Sequence, residues 1–161
     1  MNSRERMKTV LSGEIPDRVP FFPTIYTDHA CVISGYRFED ALINPSLGAE
    51  CMLETALKYQ ADGVRFHMGP ELSWFHDKVV KQEGEDLRQY DKKSGQFEGF
   101  FDVQGGGILV RRGLEPPVKC LSDVSQIKVV SAQDYLDKGY FDTIGKCIAS
   151  AHEKDLFVVG M

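Results

Sequence analysis

Met7, Val10 and Leu11 recur at helical spacing behind an N-x-x-E start at Asn2 and Glu5, and Gly13 and Pro16 stop the pattern. The spacing predicts a first helix ending near Ser12. The turn Ile15-Pro16-Asp17-Arg18 leads into Val19-Pro20-Phe21-Phe22-Pro23, an apolar run read as a first strand, although its prolines cannot donate to a full ladder. From Thr24 to Tyr36 the text turns irregular and carries Tyr26, Asp28 and His29, which suits a loop leaving a strand's carboxyl end. Phe38 to Ile43 reads as a short helix. Asn44-Pro45 then caps a longer one, whose broad apolar face of Leu47, Cys51, Leu53, Ala56 and Leu57 runs up to Tyr59.

Next, Val64, Phe66 and Met68 alternate with Arg65 and His67, the period of a strand, until Gly69-Pro70 ends it. Between Lys78 and Val130 short segments (Leu87 to Tyr90, Phe97 to Val103, Ile108 to Arg111) are separated by turn chemistry at Lys92-Lys93-Ser94-Gly95 and Gly105-Gly106-Gly107, the pattern of an antiparallel meander. Ser131 and Asp134 form an S-x-x-D cap, and helical spacing continues through Phe141, Ile144, Ile148 and Ala151 beyond a break at Gly139. Leu156-Phe157-Val158-Val159-Gly160-Met161 is an uninterrupted apolar run, expected as a strand buried on both faces of a parallel sheet.

The order is that of an α/β fold with parallel strands and a small antiparallel β insert. Only three core strands are foreseen, and a closed barrel of eight such units takes about 250 residues. Residues 1–161 are therefore expected to be a single partial domain, the first half of a larger fold.

Composition narrows the partners. The chain is 42% apolar and 27% charged, as expected of an ordinary globular domain, and its apolar runs fall far short of a membrane span. The opening residues lack the h-region of an export signal, so a cytoplasmic location is expected. A net charge of −5 disfavours nucleic acid and anionic membranes as partners and leaves small molecules. Cys31, Cys51, Cys120 and Cys147 contain no C-x-x-C pair and are expected as reduced thiols.

Arg4-Glu5-Arg6, followed by Leu11-Ser12-Gly13-Glu14-Ile15-Pro16-Asp17-Arg18-Val19-Pro20, resembles the N-terminal signature of the uroporphyrinogen decarboxylase superfamily. The resemblance covers the chain in element order, and Arg4 to Pro20 is its specific part. It implies the N-terminal part of a (β/α)8 TIM barrel. The family includes the tetrapyrrole decarboxylase of haem synthesis and methylcobalamin-dependent methyltransferases. The decarboxylase branch follows its first strand with an arginine-rich M-R-Q-A-G-R-type segment, whereas this chain has Thr24-Ile25-Tyr26-Thr27-Asp28-His29; where that branch has F-S-D, this chain has Phe66-His67-Met68.

The methyltransferase branch is the better match. Its zinc ligands, an H-x-C pair and a later cysteine, lie in the barrel's second half. Zinc and a corrinoid are thus implied for the intact protein, and none is assigned to this half. His29-Ala30-Cys31 has the H-x-C spacing but follows the first strand, so the zinc role is not carried onto it. Two alternatives stand beside methyl transfer. One is uroporphyrinogen decarboxylation; the other is a non-catalytic binding module whose barrel is completed by a second polypeptide or by self-association.

Barrel enzymes place chemistry at the carboxyl ends of their strands, which selects Tyr26, Asp28 and His29 after the first strand and His67 at the end of the second. Catalytic candidates are His67, Asp28 and His29, the last two as an acid/base pair in which a carboxylate fixes the imidazole tautomer. Substrate-binding candidates are Tyr26, Arg65 and Trp74; Arg65 and His67 face inward if Val64, Phe66 and Met68 pack under helices, and Trp74 with Phe75 would wall a planar ligand. The same letters also fit a hydrogen-bonded core His67, an ion-paired Arg65, an Asp28 loop cap and simple packing of Trp74. A metal site from His29, Cys31 and His67 has no diagnostic spacing. Arg18, at a barrel's amino end, is expected to make a structural ion pair with an Asp or Glu, Gly105-Gly106-Gly107 a hairpin turn, and Arg111-Arg112 a solvated strand end.

Overall fold

A computed structural model describes residues 1–66, 77–102, 108–110, 116, 118–127, 129, 131–137, 139 and 141–160. Helix α1 (Ser3–Leu11) begins as its sequence signal requires: the Glu5 amide donates to Asn2 Oδ1 at 2.8 Å and the Asn2 amide donates back to Glu5 Oε2 at 2.9 Å. It ends at Ser12, and Gly13, at φ +79°, supplies the left-handed turn that a side chain resists.

Two expectations in the following stretch are corrected. Val19 to Pro23 is an extended arm and no strand, because Pro20 and Pro23 have no N–H to continue a ladder; its tie to the sheet is the Asp62 amide donating to the Phe21 carbonyl at 2.7 Å. The expected loop over Thr24 to Tyr36 contains helix α2 (Thr27–Ser34), which buries Ala30 and Cys31 and stops at Gly35 in the left-handed conformation. Tyr26, at the N-cap, makes no side-chain capping bond, and the β-branched Val32 and Ile33 favour strands, so local signals hid this helix.

Helices α3 (Phe38–Ile43) and α4 (Pro45–Lys58) form as predicted, α4 with Pro45 in its first turn and Asn44 Oδ1 accepting from the Leu47 amide at 3.4 Å. Strand β1 (Gly63–Phe66) follows α4, and β6 (Phe157–Gly160) pairs with it in parallel, Val64 beside Val158 and Arg65 beside Val159. Between them lies a separate antiparallel sheet, β2 (Lys78–Glu83), β3 (Asp86–Asp91), β4 (Phe97–Asp102) and β5 (Ile108–Val110), in sequential order. The meander is as expected. Its Lys92–Gly95 turn is held by Asp91, whose carboxylate accepts from the Ser94 amide at 2.7 Å. Helices α5 (Leu121–Val124), α6 (Ala132–Asp137) and α7 (Asp142–Glu153) lead into β6, with Gly139 at φ +65° in the predicted break.

The fold is mixed α/β with a parallel and an antiparallel sheet. Val64 and Phe66 are buried in one core with Leu53 and Ala56 of α4 and Ala151 of α7, and Val158 packs against it. The antiparallel sheet joins that core through Leu87 and Phe101, the Phe101 ring standing edge-on to Phe38 at 6.2 Å. Phe157, Val158 and Val159 are only half-buried, which corrects the expectation of burial on both faces: β1 is the one strand paired with β6 among the described residues. No described helix is long and apolar enough to cross a membrane.

The two helix-to-strand junctions repeat one geometry. After α4, Gln60 sits at φ +54° and the Ala61 amide donates to the Ala56 carbonyl at 2.9 Å; after α7, Asp155 sits at φ +58° and the Leu156 amide donates to the Ala151 carbonyl at 3.0 Å. Neither junction residue is glycine, so each bears a left-handed strain of about 1–2 kcal/mol. Exposed Gln60 replaced by Gly is expected to raise stability by up to about 1 kcal/mol in urea titrations, because relief of strain exceeds the added chain entropy. Gly63 has the opposite constraint. A Cβ there would lie 2.6 Å from the Phe22 ring and 2.7 Å from the Phe157 carbonyl oxygen, so Gly63→Ala is expected to cost about 1–3 kcal/mol and lower the melting temperature.

Candidate functional site

The parallel strands have two chemically different ends. At the amino end, the residue before β1 is Asp62, fully buried and surrounded by donors. Arg6 Nη1 reaches its Oδ1 at 2.5 Å, Arg18 Nη1 its Oδ2 at 2.7 Å, Arg18 Nη2 its Oδ1 at 2.8 Å, and the Phe21 amide its Oδ2 at 2.7 Å. Burial pushes this carboxyl upward, but the bonds from the Phe21 amide, Ser3, Arg18 and Arg6 outweigh it and hold the group below the usual aspartate range. Arg6 also forks onto Asp17, through Nε at 2.6 Å and Nη2 at 2.8 Å, a bidentate pair that holds Asp17 down at about 2. The guanidinium of Arg6 is correspondingly shifted upward, first by Asp17.

Arg6, Asp17 and Arg18 are the charged core of the sequence signature, and all three serve this hub. The expected ion pair of Arg18 is found, with Asp62 as its partner. The hub can fasten chain segments, and its arginines are already engaged by carboxylates, so it is structural. Sequence reasoning missed Asp62; an aspartate directly before a strand, in Ala61-Asp62-Gly63, was the available signal.

The predicted residues are dispersed, and with no strand ahead of Tyr26, Asp28 and His29 the carboxyl-end position expected for them is lost. Tyr26 is the N-cap of α2 and largely exposed. Asp28 lies in that helix's first turn, half-buried, with Oδ1 shielded from solvent and without a hydrogen-bond partner. His29 is exposed, and its Nε2 meets the Tyr59 hydroxyl at 2.8 Å. Successive helical residues diverge by about 100°, so Asp28 and His29 leave α2 in different directions. Tyr59 was not anticipated as a histidine partner. Arg65 is half-buried and alternates with the buried Val64 and Phe66, on the sheet face opposite theirs. His67, Trp74 and Phe75 lie outside the described residues, as do Gly69-Pro70, Gly105-Gly106-Gly107 and Arg111-Arg112.

Cys31 is fully buried, and burial followed by the neighbouring Cys51 pushes its thiol up to about 12. Among the described residues no group of three His, Cys, Asp or Glu side chains assembles a metal site. Comparison with protein-family models, curated proteins and solved structures finds no match to this chain.

Proposed function

We propose that this chain is the N-terminal part of a (β/α)8 barrel enzyme of the uroporphyrinogen decarboxylase superfamily, in the corrinoid-linked methyltransferase branch. The observation that carries the reading is the convergence of the signature residues Arg6, Asp17 and Arg18 at the amino end of β1. That arrangement gives the motif a reason to exist as a unit. A barrel reserves this end for stability and the opposite end for chemistry. The repeated helix-to-strand junctions and the parallel register of β1 and β6 fit successive barrel units.

The branch assignment rests on two departures from the decarboxylase pattern, the absence of arginine from Thr24 to His29 and Phe66-His67-Met68 in place of F-S-D. The intact enzyme would then move a methyl group between methylcobalamin and a thiol or another acceptor. Among the described residues no group of three His, Cys, Asp or Glu side chains assembles to hold zinc, and the branch's H-x-C pair and later cysteine belong to the barrel's second half. In this reading Arg65 serves the ligand from the sheet face, Tyr26 and Asp28 are the candidates from α2, and His29 is held by Tyr59 at the end of α4 that leads into β1.

The test is incubation of the full-length gene product with methylcobalamin and a thiol. Zinc-dependent demethylation, followed in the cobalamin absorption spectrum, is the expected result. Decarboxylation of uroporphyrinogen with methylcobalamin left intact would replace this reading with the decarboxylase one. The two-stranded sheet of β1 and β6 favours one further reading, a non-catalytic module whose open strand edge is paired by a second polypeptide. It would be supported by inactivity in both assays together with co-purification of a second chain.

A further inference from the structure

Helix α1 is fastened to the fold by charge far more than by apolar burial. Its one buried residue is Arg6; Met7 is half-buried, while Val10 and Leu11 are 42% and 69% exposed. Its ties are polar throughout. Arg6 binds Asp17 and Asp62, Asn2 Nδ2 donates to Asp155 Oδ1 at 3.1 Å, and the Arg4 amide donates to the Asp155 carbonyl at 2.9 Å. Asp62 directly precedes β1 and Asp155 lies just before β6, so the helix straddles the amino ends of both parallel strands. A helix of nine residues is too short to persist once detached.

We infer that α1 is a polar strap across the amino ends of β1 and β6, held shut chiefly by Arg6, that releases and melts as one unit while the two sheets stay folded. Local opening of this kind is set by the contacts a segment makes with the rest of the chain. Here the guanidinium of Arg6 carries the charged contacts, to Asp17 and Asp62, and Ser3, Asn2 and the Arg4 amide add neutral ones. Arg6→Met keeps the length and apolar stem of the side chain, removes its charge, and leaves Asp62 bonded to Arg18 and to the Phe21 amide.

Native-state amide hydrogen exchange of the wild type and Arg6→Met tests the inference. In the wild type the α1 amides are expected to be protected. Their exchange is expected to be faster than that of the amides of Arg88 and Tyr90 in the antiparallel sheet, and in Arg6→Met to rise about 100-fold while the sheet amides stay the slower set. Three outcomes would overturn it: an unprotected α1 in the wild type, an α1 whose exchange does not change in Arg6→Met, or a wild type in which the α1 and sheet amides exchange with one common opening free energy. Asn2→Ala, which removes both the helix cap and the side-chain bond to Asp155, is expected to accelerate α1 exchange to a smaller degree than Arg6→Met.

Discussion

Asp62→Ala is expected to destabilise the fold by about 3–5 kcal/mol, the cost of removing one partner from a buried ionic cluster and leaving the other charges uncompensated. The carboxylate accepts from Arg6, from both terminal nitrogens of Arg18 and from the Phe21 amide, so its loss disconnects α1, the extended arm and β1 together. Asp62→Asn should fall between wild type and Ala, because an amide oxygen still accepts from Phe21 but carries no charge for the guanidinium groups. Urea unfolding of the three proteins gives the ranking. Acid should mimic the substitution. Asp62 and Asp17 both have folded values below the ordinary 3.8, Asp17 at about 2, so the stability they supply is fully present above about 4 and is lost as the pH falls towards 2. The midpoint of urea unfolding should therefore drop over that window in the wild type and drop less in Asp62→Ala.

Phe66→Ala is expected to cost a similar amount, about 3–5 kcal/mol, for a different reason. The side chain is 1% exposed and fills the core between β1 and α4, where Val64, Leu53 and Ala56 are also buried. Truncation leaves a cavity that the paired strands cannot close without losing their register. Phe66→Leu should recover most of the loss, since it restores apolar volume, whereas no apolar replacement should rescue Asp62→Ala in the presence of both arginines. The contrast separates the two ways β1 is held, by packing along its length and by charge at its start.

Helices α1, α4 and α7 and the antiparallel meander were legible because each carries local instructions: the Asn2–Glu5 box, Asn44-Pro45, the Gly139 break and the Lys92–Gly95 turn. Helix α2 was not, since it is stabilised by burying Ala30 and Cys31 against the rest of the fold and carries no side-chain cap. The strand expected at Val19 to Pro23 failed because its apolar content outweighed, in the reading, the donors missing at its prolines. At the amino end, Arg18 announced an ion pair but not its partner, which is 44 residues away in sequence. Ladders and hubs of that span depend on tertiary placement that no local pattern encodes. Tyr26, Asp28 and His29 were singled out by position after a strand that does not form, and the partner of His29, Tyr59, comes from the end of a different helix, just ahead of β1.

The half-barrel reading is tested most directly by reading the coding sequence beyond the codon for Met161. An open frame that adds further helix–strand units and, within them, an H-x-C pair and a later cysteine is the expected result. A stop codon at that point, with the expressed 161-residue chain monodisperse and monomeric by size-exclusion chromatography with light scattering, would contradict it.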